Sequence, residues 1–362
     1  MYGNNNPHLI DRFEDWWRRD NHGLPLMNVT VMKDGAEWKV KRPETPEKMY
    51  TDADYILTRT EEELKNTLFL ADSYAKVSGD FGPGSLALYL GTEPRFAWDT
   101  VWYEPSIGDE DACPDITFRG DNPWWLRHYA LMKTLKEHAD GRFLVNIPDL
   151  IENIDIYAAM RGPVKALYDI MDEPGKVSDC ISKIDDAYFR YYDALYNLLK
   201  DENGVSSYTA FNILGRGRVA KVQCDFSAMI SPKHYREFVL PSLRKQVKKF
   251  DHSLYHLDGP DAIKHVPAIM ELSELDALQW TCGAGQPDGG SEKWYPIYDA
   301  VREAGKGLWI QIYNGYADDW IRGADGIVDR YGIRSLYFQF PAMSEKDADK
   351  LMNHAAKFWY EA

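Results

Sequence analysis

Two side chains able to move protons or hold a metal stand one residue apart in 253-SLYHLDGPDAIKH-265. Side chains at i and i+2 of a strand share a face. His256 and Asp258 therefore offer an imidazole and a carboxylate to one point. That pair suits a divalent metal such as zinc, or an acid–base couple in which the carboxylate orients the ring. The structural alternative makes His256 a hydrogen-bonded core histidine and Asp258 a partner for turn backbone. Gly259 is the better cap for a helix beginning at Pro260, which weakens that alternative for Asp258. Asp225 ends the run 219-VAKVQCDF-226 in the same way, as a helix cap or a catalytic carboxylate. Cys282 ends 277-ALQWTC-282 and could add a thiolate, although a lone cysteine is often a small buried hydrophobe. Gln339, near the end of 336-LYFQFP-341, is a further metal-ligand candidate. Around these lie candidates for substrate binding: Trp98, Trp102 and Glu104 in 91-GTEPRFAWDTVWYE-104, then Trp280, Gln311 and Tyr313. Aromatic faces of this kind suit a flat ligand.

These residues need elements that bring strand ends together. Short apolar runs begin at 86, 143, 209, 219, 254, 277, 308 and 336, each about the length of a strand buried on both faces. Helical signals separate several of them. Ser231-Pro232 reads as an N-cap with Pro in the first turn, and Pro241 should kink the same helix. Ser291 and Ser344 open two more helices, and Gly305 stops the first of these. Thr60-Glu61-Glu62-Glu63 reads as a capping box opening a helix with Leu64, Leu68 and Ala71 on its apolar face. Strand and helix in alternation predict a (β/α)8 TIM-type barrel over residues 81–362, with a helical and loop extension over 1–80. Too few residues separate the runs at 209 and 219 for a crossover helix, so 25-PLMNVTV-31 could supply the eighth strand. In such barrels the site lies at the C-terminal ends of the strands, where these candidates fall.

Composition narrows the partners. The formal net charge of −15 disfavours nucleic acid and anionic membrane. Hydrophobic residues make up 44%, enough for a large core. No apolar run approaches the length of a membrane span. Cys113, Cys180, Cys224 and Cys282 show no metal-finger spacing, which predicts free thiols and a cytoplasmic setting. No nucleophile-elbow or dinucleotide-binding motif is present.

Three segments carry a resemblance: 161-RGPVKALYDIMDEPGKV-177, 222-VQCDFSAMISPKHYREFVLPSLRKQV-247 and 254-LYHLDGPDAIKHVPAIMELSELDALQWT-281. Over roughly residues 140–360 the chain resembles the uroporphyrinogen decarboxylase superfamily, and its corrinoid-dependent methyltransferase branch more than the decarboxylase itself. The decarboxylase's arginine-rich N-terminal stretch has no counterpart, and 85-SLALYLG-91 lacks its aspartate. The resemblance implies methyl transfer between a corrinoid such as methylcobalamin, carried on a separate protein, and a small-molecule donor or acceptor. It also implies zinc, bound by a His-x-Cys pair and a later Cys. Here Asp258 stands in place of the first Cys and Gln339 near the second, a harder donor set that could hold another divalent metal. Decarboxylation, or non-catalytic binding of a tetrapyrrole or corrinoid, are the alternatives.

Overall fold

The computed structural model describes residues 3, 6–109 and 113–360. Among these the strands are β1 (Leu26–Met32), β2 (Thr67–Ala71), β3 (Lys76–Val77), β4 (Glu93–Phe96), β5 (Val101–Glu104), β6 (Leu144–Val145), β7 (Val205–Tyr208), β8 (Ile213–Arg216), β9 (Val219–Gln223), β10 (His252–Asp258), β11 (Ala277–Thr281), β12 (Gly307–Gln311) and β13 (Leu336–Gln339). Seven form one sheet in the order β2-β1-β13-β12-β11-β10-β9. All its pairings are parallel except β1 with β2. Parallel neighbours need crossovers, and helices supply them: Leu240–Lys249 before β10, Tyr295–Glu303 before β12 and Ala317–Tyr331 before β13. These helices bury an apolar stripe against strands such as β12 and β13, whose residues 308–310 and 336–338 are almost fully buried. β3 pairs with β6 in parallel, and a single parallel bridge joins Ile147 to Tyr208 at the end of β7.

Several expectations are corrected. The run at 86 is a short helix, Leu86–Tyr89, not a strand. A brief apolar run cannot be told from a buried helical turn by pattern alone. Thr60 lies inside helix Ala53–Asn66, whose N-cap is Asp52, accepting from the Tyr55 N–H at 3.1 Å. Leu68 and Ala71 belong to β2. The run at 209 turns before entering β8, and the polar 205-VSSY-208 is the strand before it. The expectation of a strand from 25-PLMNVTV-31 holds: β1 enters the central sheet from the first 80 residues. Ser231 and Ser344 do cap their helices, accepting from the His234 and Asp347 N–H groups at 3.2 Å each. The disturbance at Pro241 takes the form of a five-residue π-helical stretch, Tyr235–Val239, just upstream.

Cys113 and Cys180 are joined in a disulfide, with Cα atoms 5.5 Å apart, where free thiols were expected. Their 67-residue separation hid the pairing from a reading based on local spacing. The cysteines therefore no longer favour a reducing compartment. Cys224 and Cys282 are free and buried. Among the described residues no helix is long and apolar enough to cross a membrane.

Helix Leu9–Trp17 packs across the N-terminal ends of strands. The Trp17 Nε1–H donates to Leu214 O at 2.8 Å and the Trp16 Nε1–H to Ser335 O at 3.2 Å. The return from β8 to β9 turns at Gly217, where φ is +91° and a Cβ would run into the Asp251 carboxylate.

Candidate functional site

Asp225, His256 and Asp258 come together at the C-terminal ends of β9 and β10. One potential ligand atom from each lies within 4.8 Å of the others. Register explains the convergence. His256 sits opposite Gln223 on β9 and Gln279 on β11, and Asp258 sits opposite Thr281. Asp225 follows Gln223 by two residues and so returns toward the same side. His256 is partly buried; the two carboxylates reach solvent.

The neighbours orient these groups. Gln279 Nε2 donates to Thr281 Oγ1 at 2.9 Å, which turns its Oε1 toward the imidazole. His256 Nδ1–H donates to that oxygen at 2.5 Å. The proton is thus held on Nδ1, and Nε2 presents its lone pair. Burial and then the Lys221 ammonium push the His256 pKa down, against Gln279, Asp225 and Asp258. The ring is neutral at pH 7 and able to act as a ligand or base. Burial and the Asp225 carboxylate push Asp258 up, with His256 opposing.

Acidic and basic groups missed in the sequence stand behind the three. Lys221, an inward residue of β9 that is only 1% exposed, donates to Asp149 at 2.8 Å and also contacts Gln223 Oε1. Glu152 is fully buried and accepts from the Gln223 N–H at 2.8 Å; burial holds its carboxyl well above the usual range. Asp155 accepts from the backbone N–H groups of Asp225 and Phe226, each at 2.8 Å, and so fixes the turn that carries Asp225. Burial and the Asp225 charge push Asp155 up to about 6. Asp80 accepts from the Asp149 N–H at 3.0 Å, and burial with the Asp149 charge raises it to about 7. The signal for Lys221 was present: a lysine inside the apolar run 219-VAKV, in step with Gln223 and Asp225.

A cleft of about 500 Å³ opens beside the cluster, lined by Trp102, Tyr103, Ile151, Asp155, Asp225 and Phe226. A second cavity of about 330 Å³ shares Pro83 and Thr100 with it and reaches Ser78, Asp80 and Asp149. The cleft is mostly apolar with few polar groups, a form suited to a small organic ligand.

Other predicted residues lie apart from the cluster. Cys282 has the parity of Trp280, opposite to Gln279 and Thr281; it is buried, and burial raises its thiol to about 12. Trp280 is itself buried, edge-on to Trp294, and does not line the cleft. Gln339 Oε1 is taken by Asn212 Nδ2 at 2.5 Å. Glu104 is exposed beside Arg95 at 3.7 Å, in the β4–β5 hairpin. Trp98 lies under the Arg42 guanidinium at 3.8 Å. Gln311 and Tyr313 are exposed at and beyond the end of β12. Among the substrate-binding candidates, Trp102 is the one that lines the cleft.

No family model matches the chain, and no curated protein matches it. Among solved structures, it is similar to a B12-independent methionine synthase from Shewanella sp. W3-18-1 in complex with selenomethionine, at 8% identity and a TM-score of 0.49. The likeness covers 92% of this chain and 97% of that one. At that identity and score it assigns neither a family nor an activity.

Proposed function

We propose that the chain is an enzyme that performs metal-assisted methyl transfer on a small molecule, in a closed (β/α)8 barrel with its centre at Asp225, His256 and Asp258. The single observation that carries the centre is the convergence of one imidazole and two carboxylates within 4.8 Å, with the imidazole's other nitrogen already engaged by Gln279. This O/N/O set fits a divalent cation of harder preference than a thiolate zinc site. Contacts beyond the seven-stranded sheet support closure: Ser73 Oγ–H donates to Val29 O at 2.8 Å on one side, and the Val219 N–H donates to Ser206 Oγ at 3.3 Å on the other.

Methyl transfer, with a corrinoid on a separate protein as carrier, rests on the sequence resemblance alone. A bound cation would supply Lewis acidity, lowering the pKa of the acceptor atom that takes the methyl group. Asp225, which lines the cleft, is the carboxylate that would take the acceptor's proton. Trp102 and Phe226 shield the apolar part of the substrate in the cleft.

The test is elemental analysis of protein purified without chelator or metal affinity resin, beside His256→Ala and Asp258→Ala. About one divalent metal per chain in wild type, lost in both variants, is expected. Retention of metal in both variants would remove the centre from this site. Methylcobalamin turnover with thiol, amine and hydroxyl acceptors then tests the reaction class, and absence of transfer to all of them would sink it.

A further inference from the structure

The tip of the β7–β8 hairpin carries two consecutive non-glycine residues in the left-handed region, Phe211 at φ +62° and Asn212 at φ +51°. Asparagine tolerates this region; a bulky aromatic residue seldom enters it. Such strain persists only where the surroundings over-determine it, and it concentrates at functional sites. Four contacts hold this tip. Trp309 Nε1–H donates to Phe211 O at 2.8 Å, and Tyr337 OH to Asn212 O at 2.8 Å. Asn212 Nδ2 donates to Gln339 Oε1 at 2.5 Å, and Lys76 Nζ to Asn212 Oδ1. The anchors come from β3, β12 and β13, so three strands fix one tip.

What the strained conformation achieves is the placement of one ring. The Phe211 ring centroid lies 4.9 Å from that of the His256 imidazole, at 38°. Its other neighbour is Trp309, edge-to-face at 5.3 Å and 76°. Gln279 engages the imidazole at Nδ1, and the Phe211 ring packs against it at a tilt. The hydrogen bond holds Nδ1, and the packed Phe211 ring takes up the space into which the imidazole could rock about its Cβ–Cγ bond.

We infer that Phe211 is a positioning residue for His256, holding the imidazole plane so that Nε2 faces Asp225 and Asp258. The inference rests on the reading of those three residues as the centre. It explains why a phenylalanine, rather than glycine or asparagine, occupies the left-handed tip. It also gives Gln339 and Lys76 a role: through Asn212 they hold the tip that holds the ring.

The experiment compares wild type with Phe211→Ala, Phe211→Leu and the conservative Phe211→Tyr. Two readouts are used on folded protein, checked by circular dichroism. The first is the His256 tautomer, from long-range nitrogen–proton spectra of histidine-labelled, metal-free protein. The second is Co2+ affinity and visible spectrum. Wild type and Phe211→Tyr are expected to show one Nδ1–H tautomer and one Co2+ spectrum. Phe211→Leu and Phe211→Ala should show mixed tautomers, an altered spectrum and roughly tenfold or greater weakening of Co2+ binding, the range for lost orienting partners of a metal ligand. An unchanged tautomer and spectrum in the leucine variant would overturn the inference, even if the alanine variant fails to fold. If wild type takes up no Co2+, the metal reading fails separately, and the metal-free tautomer comparison alone decides for or against Phe211.

Discussion

At the scale of single residues, the centre depends on groups that do not themselves meet substrate. Gln279 is the sharpest case, because its amide is oriented by Thr281 and in turn fixes the proton on His256 Nδ1. Replacing Gln279 with Leu removes that acceptor and leaves Nδ1–H unpaired in a partly buried place. We expect divalent-metal affinity to fall about 10–100-fold with the fold intact; isothermal titration would check it, and an unchanged affinity would detach Gln279 from the centre. The pH dependence comes from the same groups. His256 is pushed below its ordinary value of about 6.5 and Asp258 above its ordinary value of about 3.9. Protons compete for both between these limits, so metal affinity should be flat above about pH 6.5 and fall on acidification below it. Affinity still climbing between pH 7 and 8 would contradict a neutral His256. The pairing of His256 with Asp258 was legible because strand periodicity is strict. The same rule, applied one strand over, would have set Cys282 aside: it shares the parity of Trp280, not of Gln279. Gln279 itself was passed over because its value lies in a cross-strand register that no local pattern reveals.

At the scale of elements, long-range partners decided what could be read. β10 to β13 were legible as apolar runs between capped helices. β7 was not, since 205-VSSY-208 is short and half polar, yet it is buried and bonded to its neighbours. The capping box at Thr60 lost to an earlier cap at Asp52, a case of two local signals competing within one helix. The disulfide is the clearest long-range feature. It ties the segment after the β4–β5 hairpin to the long helix Pro174–Leu199, across 67 residues. Closing a loop of that length restricts the unfolded chain by about 4 kcal/mol in the chain-entropy treatment. Urea unfolding with and without dithiothreitol should show a loss of that order on reduction, with the larger part of the difference absent in Cys113→Ser. Equal midpoints in oxidised and reduced samples would mean that the bond contributes no net stability.

At the scale of the whole molecule, charge and burial act together. Asp80 is raised to about 7, and Asp155 and Asp185 to about 6, each chiefly by burial. All three bind their proton more tightly folded than unfolded, where the value is about 3.9. Their stabilising contribution is therefore present at low pH and is lost as pH rises through about 6 and about 7. Glu14 and Asp169 are held low despite burial, by His252 and Arg161 respectively, and their contribution is lost only on acidification into the ordinary carboxylate range. Self-repulsion from a net charge of −15 also eases as acids take up protons. Burial also lowers three imidazoles, His128 to about 4 and His256 and His265 below their ordinary value, and their contribution runs the other way, growing as pH rises toward about 6.5. The buried acids are therefore read from a single-site variant and not from the wild-type melting temperature. Salt separates the two causes, because it screens surface repulsion and leaves a buried proton affinity largely untouched. Asp80→Asn isolates the buried part further: asparagine keeps an oxygen for the Asp149 N–H but cannot ionise. That variant should melt higher than wild type at pH 8 in high salt, yet close to it at pH 5.5. Equal shifts at both pH values would show that Asp80 takes up no proton between them, and the pH dependence would then belong to other groups.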